Sequence, residues 1–165
     1  MKKILMLLLL LLPLAMASCG DDKDEPTTNT TKDPDGTIIV NVNLDSKTSA
    51  GGCEIGLSKA YNLNCYGYGY YGSVSIVGPV KGIGNINLTV SQTQSLTWTS
   101  NAAAEVGYGY IFKVISDSKF ENNQRIYYYD YYAVYVASEI GSTSGGVMGY
   151  TLKVRKLLEN VPWQD

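Results

Sequence analysis

Apolar and polar residues alternate along much of this chain with a period of two. That repeat turns one face of a β-strand towards a core and the other towards water. The stretch "TIIVNVNL" (37–44) sets the pattern, with Ile38, Val40, Val42 and Leu44 on one side and Ile39, Asn41 and Asn43 on the other. Further strands are predicted at "CEIGL" (53–57), "SVSIVG" (73–78, stopped by Pro79), "EVGYGYIFKVIS" (105–116), "RIYYYDYYAVYVA" (125–137) and "VMGYTLKVRKLL" (147–158). In the last of these Met148, Tyr150, Leu152 and Val154 face one way. "NINLTV" (85–90) and "SLTWT" (95–99) are shorter strand candidates, while "SKAYNLN" (58–64) is ambiguous and admits one helical turn. "DSKTSAGG" (45–52), "DSKFENNQ" (117–124) and "EIGSTSGG" (139–146) carry turn chemistry and predict loops. No segment sustains a 3.6-residue apolar period between capping residues. The pattern predicts an all-β fold, an antiparallel β-sandwich or small barrel of short strands.

The stretch "RIYYYDYYAVYV" (125–136) holds six tyrosines, and alternation divides it into two rows. Ile126, Tyr128, Asp130, Tyr132, Val134 and Val136 form the row with more aliphatics, predicted to face the core. Asp130 then needs a buried partner or a place near an edge. Arg125, Tyr127, Tyr129, Tyr131, Ala133 and Tyr135 form the candidate outer row. Within it Arg125, Tyr127, Tyr129 and Tyr131 are the candidate ligand-binding residues, because phenol rings offer an apolar face and a polar tip. A covered or cross-strand-paired sheet face is the other reading of that row.

The N-terminus follows a different pattern. Lys2 and Lys3 precede an unbroken apolar run from Ile4 to Leu12, and Pro13 leads into Ala15-Met16-Ala17-Ser18. This is the layout of a secretory signal peptide, with an apolar run too short for a comfortable membrane span. Cys19 stands where cleavage falls, and the segment resembles a bacterial lipobox, in which the Cys thiol is acylated and becomes the new N-terminus. "GDDKDE" follows at once and resembles the acidic export signal of Bacteroidetes lipoproteins. From Gly20 to Gly36 no large apolar residue occurs, so a flexible tether is expected there. The expected organisation is a leader over 1–18, a lipidated Cys19 with an acidic tether over 19–36, and a single β-rich domain over 37–165.

Composition narrows the chemistry. The 165 residues include 14 tyrosines and 17 glycines but no histidine. Without histidine there is no Ser-His-Asp or Cys-His nucleophile scheme and no His-ligated zinc. The net charge of −2 supplies no basic field, so nucleic acid is not an expected partner. "GYGYYGSV" (67–74) satisfies a G-x-G-x-x-G-x-V loop, but no helix opens after Gly72 to receive a phosphate. Its glycines read instead as bulges or points of close backbone approach, and no nucleotide or other cofactor is expected. Cys53 and Cys65 are left in the mature domain as either a disulfide or two buried thiols. No metal site is expected, and the carboxylates are scattered without a nominated pair.

Four blocks, "VKGIGNI" (80–86), "GYGYIF" (107–112), "RIYYYDYY" (125–132) and "GGVMGYTLKV" (145–154), occur in an order that resembles an uncharacterised Bacteroidetes lipoprotein family, a domain of unknown function. Tyr128 and Tyr129 stand where that family has aliphatics, and "KVRKLL" replaces its aromatic and proline ending. The resemblance implies an exported, lipid-anchored β-rich domain and carries over no catalytic residue. The expected function is therefore a non-enzymatic binding or accessory domain, held to the outer membrane through Cys19 and displayed at the cell surface. The periplasmic leaflet is the alternative location. Glycan is the first ligand class to consider, and another surface protein is the second partner class. A structural or adhesive subunit assembling through sheet edges is the alternative function. A histidine-free hydrolase working through carboxylates comes third.

Overall fold

The computed structural model describes residues 31–33, 35–141 and 144–163. The leader, Cys19 and the predicted tether up to residue 30 lie outside the described residues. Among the described residues eleven strands follow one another: β1 (Thr31–Lys32), β2 (Ile38–Asn43), β3 (Ser46–Ala50), β4 (Cys53–Leu57), β5 (Asn62–Gly67), β6 (Tyr70–Tyr71), β7 (Ser73–Pro79), β8 (Ala102–Ala103), β9 (Tyr108–Glu121), β10 (Gln124–Gly141) and β11 (Val147–Pro162). They form a large antiparallel sheet in the order β1-β2-β11-β10-β9-β7 and a small one in the order β3-β4-β5-β6, with β8 beside β5. The all-β sandwich read from the alternation is borne out.

The predicted inward rows meet between the sheets. Val40 and Val42 of β2, Tyr150, Leu152 and Val154 of β11, and Tyr132, Val134 and Val136 of β10 pack against Ile55, Leu57, Leu63 and Cys65 of the small sheet. Glycine permits the closest approach. A Cβ on Gly67 would stand 2.6 Å from Val114 Cβ and 2.7 Å from the Ile115 carbonyl oxygen, so the end of β5 rests directly on β9.

A second core lies on the opposite face of the large sheet. Residues 80–98 cross that face, and Ile83 and Ile86 pack there on Ile111, Tyr131 and Ala133. Here the expected strands at 85–90 and 95–99 are corrected. Two 3-10 turns, Ile83–Asn85 and Val90–Gln94, occupy this region, and among the described residues the one ladder contact outside the named strands is the bridge between Val74 and Thr99. The segment alternates because one of its sides covers a sheet, and covering a sheet needs no strand pairing.

Other boundaries also differ from expectation. "DSKTSAGG" contains β3, whose Thr48 and Ala50 point inwards. "SKAYNLN" makes no helical turn; Tyr61 takes a positive φ of 58° and the chain enters β5. The loop expected over 117–124 is a tight hairpin, because Asn122 and Asn123 adopt φ values of 49° and 62° and let β9 and β10 pair up to the turn. In "EIGSTSGG", β10 runs on to Gly141. Thr31 and Lys32, within the stretch expected as tether, pair with Ile39 and Ile38 of β2, and the Asp35 carboxylate accepts from the Thr37 amide at 3.0 Å.

The sheet edges are guarded. In β7 the register slips between Ile76 and Gly78, Pro79 ends the strand, and Thr99 bridges its start. β3 carries Lys47 and has five residues, while β6 and β1 have two each. Bulges, charge and shortness blunt an edge against pairing with another chain.

Candidate functional site

The nominated tyrosine row does not form an open platform. Arg125 is exposed in the arm formed by β9 and β10, and Tyr127 and Tyr129 are half-buried. Tyr131 is 2 % exposed, with its ring 5.9 Å from that of Trp98. The expectation that Tyr131 lines an outer surface is corrected, because residues 80–98 cover it. Tyr129 turns its edge to Trp163, with ring centroids 5.6 Å apart. Between these rings lies Lys113, 7 % exposed, its ammonium 4.7 Å from Trp98, 5.2 Å from Tyr129 and 4.2 Å from Trp163. Burial draws the Lys113 pKa down, and the three rings offset part of that cost. This cluster fastens the connection and the end of β11 to the sheet.

Cys53 and Cys65 are both free and buried. Cys65 lies opposite Ile55, two residues along β4 from Cys53, so the thiols are diagonal neighbours. That spacing, about 7 Å, exceeds what a disulfide spans. Burial pushes both thiols up, Cys65 to about 12, so neither is an activated nucleophile.

The outer face of the small sheet is the one that gathers exposed aromatic and polar groups. Register places two side-chain rows across it. Lys47 of β3, Gly56 of β4 and Asn64 of β5 lie in the first; Ser49, Glu54, Tyr66 and Tyr71 lie in the second. Gly56 makes the first row dip, and the dip is a cavity of about 210 Å³ lined by Asp45, Ser46, Lys47, Ser58, Asn64 and Tyr66 among others. A Cβ on Gly56 would displace the Asn64 amide and stand 3.3 Å from Tyr66 Cε2.

The groups around the dip are held in place. Lys47 Nζ donates to Glu54 at 2.8 Å and lies 3.7 Å above the Tyr66 ring. The bond to Glu54 raises the Lys47 pKa, so the ammonium is retained. Burial raises the Tyr66 phenol against the opposing pull of Lys47, so that ring stays neutral. Lys59 pairs with Asp45 at 3.3 Å. The Tyr71 ring is 4.8 Å from Tyr66 and the residue is 76 % exposed. Asn64 Oδ1 is buried without a hydrogen-bond partner. A buried amide oxygen left unpaired is an acceptor waiting for a donor.

Sequence reasoning passed over this face. Its signal lay in "YGYGYY" (66–71), read only for its glycines. Tyr68 and Gly69 at φ 50° and 78° form the tight turn that folds Tyr71 back beside Tyr66. A larger groove of about 330 Å³ between β7 and the connection is lined mainly by Ile76, Val77, Ile86, Leu88, Leu96 and Ile111 and carries no charged group. Asn85, Asn87, Gln92 and Ser95 are its polar members. Among the described residues no group of three or more Cys, Asp or Glu is placed to hold a metal ion.

No family model matches the chain, nor does any curated protein or solved structure.

Proposed function

We propose that this chain is a lipid-anchored outer-membrane protein displayed at the cell surface, whose sandwich is a non-enzymatic binding domain for glycans. One observation carries the ligand class: an exposed Tyr71 ring lies 4.8 Å from that of Tyr66, which lines a dip floored by Gly56 and bordered by the unpartnered amide of Asn64. Aromatic faces and convergent planar hydrogen-bonding groups match the apolar faces and hydroxyl rims of sugar rings. The leader, Cys19 and the acidic segment behind it support the anchor and the surface location, as does the resemblance to the Bacteroidetes lipoprotein family. The blunted edges of both sheets tell against assembly through strand pairing.

A glycan array probed with the purified full-length protein tests the reading. Binding is expected, and Tyr71→Ala should weaken it at least tenfold with no change in melting temperature. A protein that binds no member of the array and sediments as an oligomer would favour the assembly reading instead.

A further inference from the structure

We propose that the dip over Gly56 selects a neutral oligosaccharide over an acidic one, with its sugar rings running diagonally across the small sheet from Tyr71 to the dip. The inference rests on the glycan reading above and narrows it. Every charge around the dip already has a partner: Lys47 with Glu54 at 2.8 Å, and Lys59 with Asp45 at 3.3 Å. Two cations and two anions in mutual contact leave no net field to draw in a sulfate or carboxylate. Lys47 is also covered on one side by the Tyr66 ring, 3.7 Å from its nitrogen. An acidic glycan that reaches this ammonium brings its charge against the Glu54 carboxylate, 2.8 Å from the same nitrogen. A neutral sugar disturbs neither pair.

The unpartnered amide specifies what the ligand must offer. Asn64 Oδ1 accepts, and its neighbours Ser46 and Ser58 both donate and accept. The amide lies over Gly56 out of solvent, so it swings outward to meet a sugar hydroxyl, which pairs with whichever end it then presents. The rows set the length. Gly56 and Glu54 alternate on one strand, so the rows stand about 7 Å apart. Tyr71 on β6 also lies two strands from Gly56 on β4, so a ring stacked on it and a ring over the dip stand about 12 Å apart, with a third ring between them over Tyr66.

The test uses matched pairs of oligosaccharides, neutral and sulfated or uronic, titrated against the full-length protein at about 50 and 500 mM NaCl, where screening differs severalfold. Neutral members should bind with affinities that change less than about twofold between the salts, and acidic members at least tenfold more weakly. Gly56→Ala should weaken neutral binding at least tenfold by filling the dip. Tyr71→Ala, at an exposed site where folding is not at risk, should do the same. Tighter binding of the acidic members, or a tenfold loss with salt, overturns the neutral-ligand inference and leaves the glycan reading standing. Unchanged binding by both variants overturns the placement. No binding by any pair overturns both readings together.

Discussion

Asp130 lies 5 % exposed in the middle of β10, where an unpaired carboxylate would be strongly disfavoured. Its Oδ2 accepts from Lys156 at 2.8 Å and from the Tyr132 hydroxyl at 3.3 Å, and its Oδ1 accepts from the Asn160 amide at 2.9 Å. Burial alone would raise its pKa, but these donors outweigh burial and hold it below the usual carboxylate value. A carboxylate depressed in the folded state contributes stability above its unfolded pKa and loses it as pH falls through the folded one. Asp130→Asn should therefore cost about 1–3 kcal/mol at pH 7. In urea denaturation the gap from wild type should persist down to about pH 4 and close below it. A gap that does not depend on pH would show that the charge contributes nothing. Alternation alone revealed that Asp130 needed a buried partner. It could not name one, because Lys156 and Asn160 reach it only through the register slip between β10 and β11 at Tyr129 and Tyr131.

Strands with one clean inward row were readable as elements. β2, β7 and the cores of β9, β10 and β11 fall close to where alternation placed them. Short polar β3 was not readable, since its pairing with β4 depends on a neighbour and not on its own residues. Nor was the connection over 80–98, which alternates as strands do. The two sides of β10 show the consequence. Tyr132 packs between the sheets, while Tyr131 packs under the connection, so both rows are buried at that point. Tyr131→Ala should consequently cost about 3–5 kcal/mol in chemical denaturation, as expected for a buried aromatic. Tyr71→Ala should stay within about 0.5 kcal/mol of wild type. A mild effect at Tyr131 would mean that the connection is only loosely attached.

At the scale of the molecule there are three layers: the small sheet, the large sheet, and the connection on its far side. The proposed glycan face is the outer surface of the first layer, open to solvent. If the anchor is Cys19, then Cys19→Ala should move the protein from the membrane fraction to the soluble one, and protease added to intact cells should remove the domain. Full protection would place it on the periplasmic leaflet, and unchanged fractionation of the variant would refute lipidation.

The amino-acid order by itself determined the strand class, the inward rows of β2, β10 and β11, and the absence of histidine chemistry. Each of these depends on local spacing or on which residues are present. The tertiary structure alone decided which face each row meets. The tyrosines of β10 are covered because Ile83 and Ile86, remote in the chain, fold over them. Tyr71 stays open because, among the described residues, no segment folds over the small sheet's outer face. Cys53 and Cys65 end as diagonal neighbours through strand register. Period-two alternation fixes only that a residue lies on one side or the other, and which side is covered depends on contacts between distant segments.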